Sequence, residues 1–157
     1  MKPVTGYQCK LYIASALGGT MSYTEIKGCG DVTLDDLTRE EVEVPMRGLS
    51  WKLKLPSILN APTVTFKFFH GIDSSMENTL KTHFTTGDTF MIVFAYGDIA
   101  TAGTDYFQFP CFLSQMNASQ NLTEAAQYDC KVSFTYGEYS SSQVMPSWGT
   151  VSAGTTP

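Results

Sequence analysis

Apolar and polar residues alternate with period two along much of the chain. In Trp51-Lys52-Leu53-Lys54-Leu55 the apolar side chains fall on one face and both lysines on the other, and Val64-Thr65-Phe66-Lys67-Phe68 repeats the scheme. This is the signature of half-buried strands, and the proline and asparagine between the two segments mark a short turn. Cys9 to Ser15 alternates as a first strand, broken by Ala16-Leu17-Gly18-Gly19-Thr20, and Tyr23 to Lys27 is a candidate second. Thr89 to Tyr96 is almost continuously apolar, which suits a central strand covered on both faces. Asp105 to Met116 and Gln127 to Tyr136 add two more strands, joined through a turn over Gln120 to Ala126.

Between the strands one segment changes period. Met76, Leu80 and Phe84 share a helical face, Ser74-Ser75-Met76-Glu77 reads as a capping box, and Gly87 is placed to end the helix. After Gly137 the residues turn to Ser, Thr, Gly and Pro, so Tyr139 to Pro157 is expected to be a mobile tail with no core of its own, and Trp148 in it an isolated aromatic making a local contact. About eight short strands and one helix make a mainly β protein, a β-sandwich or barrel with one flanking α-helix. The expected organisation is one domain over 1–137, with an extended charged loop at about 34–48, followed by a 138–157 tail.

Composition narrows the functional classes. The 157 residues carry a net charge of −5, and only 16% of them are charged, against roughly 25% in ordinary soluble domains. An acidic chain lacks the basic face that gripping phosphates requires. A sparsely charged surface is one that partners can cover. Cys9, Cys29, Cys111 and Cys130 form no C-x-x-C pair, so no metal site is expected, and the opening residues lack the arrangement of a signal peptide. The thiols are therefore read as reduced and mostly buried. No stretch approaches the roughly 18 apolar residues of a membrane span, and the sequons at Asn117 and Asn121 carry little meaning without a secretory signal.

Catalysis has little to work with. Of the two histidines, His70 follows a strand and His83 sits on the helix with no carboxylate or cysteine at i±3 or i±4 to orient it. No G-x-S-x-G elbow, P-loop or H-E-x-x-H is present, so no enzyme and no cofactor is expected. The most charged stretch, Asp31 to Glu43, is either a solvated loop or an extended arm that leaves the domain to touch a neighbour. Its adjacent carboxylates lack both the burial that acid–base work needs and the D-x-D-x-D-G spacing of a calcium loop. On the arm reading the subunit-interface candidates are Asp35, Asp36, Arg39, Glu40, Glu41 and Arg47, the arginines suited to pairing with carboxylates across a boundary.

The order of elements from about Tyr23 to Tyr136 resembles the tail tube (major tail) proteins of long-tailed bacteriophages. The likeness is carried by Asp31 to Leu34 opening a charged stretch, Arg47-Gly48 before LSWKLKLP, then TVTFKFFHG, the helix DSSMENTLKTHFTTG beginning at Asp73, and a hydrophobic strand. The resemblance implies a structural virion protein, assembled in the host cytoplasm, that forms hexameric rings. The rings stack into a tube, each subunit giving strands to a continuous inner barrel and a charged loop, here about Leu34 to Gly48, to a neighbour. The implied partners are the protein itself, tape-measure protein and genomic DNA in the lumen without specific binding, and, where the tail type has them, a sheath, a tail-tip initiator and a terminator; no membrane is involved. Ser140 to Pro157 would be free for contacts between rings or for exterior display.

Two rival readings fit the same pattern. One is a soluble or secreted β-sandwich that binds carbohydrate or protein, with Tyr96, Tyr106, Trp51 and Trp148 as stacking residues. Exposed aromatics gathered on one face would favour it. The other is a head–tail connector or tail terminator of similar build.

Overall fold

The computed structural model describes residues 4–19, 21–45, 47–48 and 50–152. After a 3-10 turn (Gly6–Gln8) the chain forms β1 (Lys10–Ala14), β2 (Thr24–Glu25), β3 (Cys29–Asp35), β4 (Arg39–Val44), β5 (Leu53–Leu59) and β6 (Thr63–Phe69). Helix α1 (Ser74–Thr86) follows, then β7 (Phe90–Ala95), β8 (Asp105–Ser119), β9 (Gln127–Phe134), β10 (Glu138–Tyr139), β11 (Ser142–Gln143) and β12 (Ser147–Thr150). One antiparallel sheet runs β2-β1-β7-β8-β9-β6-β3, with β12 beside the first half of β8, while β4-β5 and β10-β11 form separate two-stranded ribbons.

Alternation explains the packing. On β1 and β7, Leu11, Ile13, Phe90 and Ile92 enter a large apolar cluster, and Tyr12, Ala14, Met91, Val93 and Ala95 enter a smaller one. The β7 strand is therefore covered on both faces, as its unbroken apolar run implies. The large cluster joins Leu11 and Ile13 of β1 to Cys29, Val32 and Leu34 of β3, strands near opposite ends of the sheet order. The sheet must curl for these to meet, and a cleft of about 610 Å³ lined by β1, β2 and β3 marks where its ends approach.

The helix lies on this cluster through Met76 and Leu80. Gly87 closes it in the left-handed region, φ 70°, with its N–H donating to the His83 carbonyl at 2.9 Å. The expected Ser74–Glu77 capping box is not formed: Asp73 is the cap, its Oδ1 accepting the Met76 N–H at 3.2 Å, because Glu77 is turned inward. Phe84, expected on the buried face, is 47% exposed. Its place against the sheet is taken by His83, stacked on Phe90 at 4.5 Å.

The strands β5 and β6 flank the expected short turn, and each pairs elsewhere, β5 with β4 and β6 with β3 and β9. Two further expectations are corrected. Asp31 to Glu43 is strand rather than loop at both ends, its first part edging the main sheet as β3 and its last part forming β4. The described part of the expected tail is also built into the body. Thus β12 pairs with Asp105–Gln108, Trp148 packs on Phe107 at 4.7 Å, and Val151 is buried in the smaller cluster. Thr20, Met46, Leu49 and residues 153–157 fall outside the described residues.

Candidate interaction surfaces

The chain leaves the sheet at Asp36, which holds φ 63°, a left-handed conformation that Asp tolerates better than most residues. Its Oδ2 accepts the Thr63 hydroxyl at 3.1 Å, and Asn60 binds Thr38 through backbone (2.9 Å) and side chain (2.6 Å), so the base of the ribbon is clamped. Beyond the clamp β4 and β5 pair Val42 with Leu55, Glu43 with Lys54 and Val44 with Leu53. Pairing places Val42, Val44, Leu53 and Leu55 on one face and Glu41, Glu43 and Lys54 on the other.

The charged face is largely self-satisfied. Glu41 pairs with Lys54 at 3.2 Å, Glu43 with Lys52 at 3.9 Å, and Arg39 Nη1 donates to the Ser57 carbonyl at 2.8 Å. Exposed pairs of this kind stabilise by under about 1 kcal/mol. The apolar face is open: Val42 and Leu55 are each 50% exposed and Leu53 42%. An isolated two-stranded ribbon is marginal in water, and this one leaves its apolar face exposed.

All six sequence candidates lie along this excursion: Asp35 at the end of β3, Asp36 at the exit, Arg39, Glu40 and Glu41 on β4, and Arg47 beyond it. Among the described residues Asp35, Glu40 and Arg47 make no ion pair, while Asp36, Arg39 and Glu41 are engaged within their own copy. Charge alone had pointed to them. Alternation alone reads Leu53 and Leu55 as one face of a half-buried strand; the matching Val42-x-Val44 opposite is the signal that an apolar face extends over both strands of a ribbon.

A second surface lies on β3, β6, β9 and the far half of β8. Register puts Thr33, Thr65, Lys131 and Gln115 in one row, and Lys67, Asp129 and Asn117 in the next. Asp31 and all of these but Asn117 line a shallow, mixed-charge depression, while Val64, Phe66, Phe68, Cys130 and Val132 point into the core. Ser114 donates to the Lys131 carbonyl at 3.1 Å at the bulge in β8. Among the described residues both margins of this four-stranded panel are open. The β3 strand ends the sheet order, and β7 pairs with β8 only as far as Cys111, leaving Phe112 to Ser119 with β9 alone.

The remaining chemistry is sparse. Among the described residues no three His, Cys, Asp or Glu side chains gather as a metal site would require, and no helix is long and apolar enough to cross a membrane. All four cysteines are free. The Nδ1 of His83 is buried without a hydrogen-bond partner, and burial pushes its pKa down. Of the aromatics of the binding-module reading, Tyr96 and Trp148 share one sheet face, Tyr96 edge-on to Phe94 and Trp148 on Phe107, the cross-strand partner of Phe94, whereas Tyr106 lies against the smaller cluster on the other face and Trp51 is 83% exposed beside the ribbon.

No family model and no curated protein matches the chain. Solved structures do. A structure of the SPP1 tail tube aligns with TM-score 0.67 and 10% identity over 94% of this chain and 80% of that one. A chain of the virion of a native gene transfer agent particle gives 0.65 and 15% over 92% and 98%. One from the tail of an empty particle of that kind, with C6 symmetry, gives 0.63 and 12% over 83% and 93%. At these identities the likeness is one of fold, and this chain shares that fold.

Proposed function

We propose that this chain is a structural, non-catalytic subunit of a virion tail tube. The observation that carries the reading is the four-stranded panel, polar on one face, apolar on the other and open at both margins. Its strands alternate in direction and are even in number. Copies related by rotation about one axis then bring β3 of one against the far half of β8 of the next in antiparallel sense, and the repeated panels close into a barrel without a free edge. The polar face, with Asp31, Asp35 and Asp129 against Lys67 and Lys131, lines the channel. A mixed-charge wall with an acidic excess, on an acidic protein, gives DNA little to bind as it passes.

Rings then stack, and the β4-β5 ribbon reaches a neighbouring copy. In this reading its grip comes from Val42, Val44, Leu53 and Leu55, with Asp35, Glu40 and Arg47 at the rim. Six copies per ring is the number the structural neighbour with C6 symmetry suggests. The fold of that neighbour and the polar panel favour a tube over a carbohydrate-binding module, of whose four aromatics Tyr106 and Trp51 lie apart from Tyr96 and Trp148.

Electron microscopy of the purified protein tests this directly. Hollow tubes or stacked rings are expected at high concentration. A protein that stays monomeric even with preassembled tail tips added would overturn the proposal.

A further inference from the structure

Among the described residues Glu77 is the charged side chain that is fully buried, at 4% exposure, and its partners converge on one atom. Glu77 Oε1 lies 2.7 Å from His70 Nδ1, accepts the Tyr128 hydroxyl at 2.8 Å, and lies 3.2 Å from Lys81 Nζ. The partners come from three places: His70 from the turn after β6, Tyr128 from β9, and Lys81 from one turn along the helix. The turn is itself fixed, since the His70 backbone N–H donates to the Ala126 carbonyl at 2.9 Å. Lys81 Nζ also stands 5.7 Å from the centre of the Tyr128 ring. One carboxylate thus ties α1 to both β6 and β9.

The helix has few other anchors. Met76 and Leu80 are its buried apolar residues, and Phe84 faces water. A helix of 13 residues is marginal in water without tertiary contacts. The site also suits only one form of the acid. Ammonium and imidazolium groups carry donors alone, so a protonated Glu77 leaves Lys81 and a charged His70 facing an uncharged group.

We propose that Glu77 is an acid-operated latch for helix α1: ionised, it holds the helix on β6 and β9, and on taking up a proton it lets the helix detach before the sheet unfolds. The hydrogen bonds from His70 first, then Tyr128, with Lys81 adding to them, hold its carboxyl down at about 2. A glutamate in an unfolded chain titrates near ~4.3. A depressed pKa in the folded state means that the stabilisation is complete above the unfolded value and is lost as pH falls through the window between the two. The charged and titratable groups facing the carboxyl are Lys81 on its own helix, His70 from the turn and Tyr128 from β9. The latch works within one copy and does not depend on tube assembly.

Hydrogen exchange read by mass spectrometry on the full chain tests it, with intrinsic rates corrected for pH and β7 as the internal reference. In the wild type, exchange over Ser74–Thr86 relative to β7 is expected to rise at least tenfold between about pH 5 and pH 2.5. In Glu77→Gln the helix is expected to exchange fast already at neutral pH, with that rise abolished. Tyr128→Phe, which removes one donor and keeps the ring, is expected to move the opening to higher pH. Three results would overturn the latch: no relative rise in the wild type, simultaneous loss of protection in helix and β7, or a wild-type pH profile in Glu77→Gln. If that variant does not fold, an unchanged opening pH in Tyr128→Phe overturns it equally.

Discussion

At the scale of single residues the helix separates burial from pattern. Leu80 is fully buried in the large cluster, so Leu80→Ala is expected to cost about 2–5 kcal/mol, seen as a clear fall in melting temperature. Phe84, one turn later on the nominal apolar face, is expected to change stability by no more than about 0.5 kcal/mol when replaced by Ala. Equal effects in thermal melts would show that the helix is seated differently. Periodicity made Met76 and Leu80 legible as core. It misassigned Phe84 because a period says which residues share a stripe, while the facing surface decides how far along it contact extends. Glu77 was equally hidden: a glutamate three residues after a serine reads as a cap, and its real donors, His70 and Tyr128, arrive from distant parts of the chain.

Among the elements, the ribbon carries the largest difference between sequence and structure. Alternation located Leu53 and Leu55 on one face of a strand, which is correct, but alternation does not say whether that face meets the chain's own core or another molecule. Charge drew the eye to Glu41 and Arg39, which are occupied within the ribbon. If the apolar face is the contact, Leu55→Asp should leave the melting temperature within about 1 °C, because the side chain is half exposed in the free subunit, yet abolish tubes in micrographs. Glu41→Ala, which removes only an exposed ion pair, should leave assembly within about twofold of normal. Assembly lost in Glu41→Ala and kept in Leu55→Asp would return the interface to the charges. The C-terminal strand gave no sequence signal because Ser147–Thr150 is short and polar, and a docking strand of that length is specified by the edge that receives it.

For the whole molecule, the decisive matter is whether the two open margins of the panel meet between copies. Within one copy Thr33 on β3 and Asn117 on β8 are separated by β9 and β6, about 14 Å at the spacing of neighbouring strands. That is beyond the roughly 7 Å limit for a disulfide, so a bond between cysteines at these places can form only between copies. The native thiols interfere little: burial first of all pushes Cys29 and Cys130 up to about 12 and Cys111 well above its ordinary value, and Cys9 can be changed to Ser. Thr33→Cys combined in turn with Gln115→Cys, Asn117→Cys or Ser119→Cys samples three registers on the same polar face. Mild oxidation of assembled protein should give, in at least one pair, a denaturing-gel ladder that ends at the copy number of the ring, six if this chain keeps the symmetry of its structural neighbour. A ladder that runs on without end would indicate an open helix of subunits, since a head-to-tail contact that fails to close keeps growing. If all three pairs give only monomer while tubes are visible, the barrel is joined through other strands, and the polar panel is not its wall.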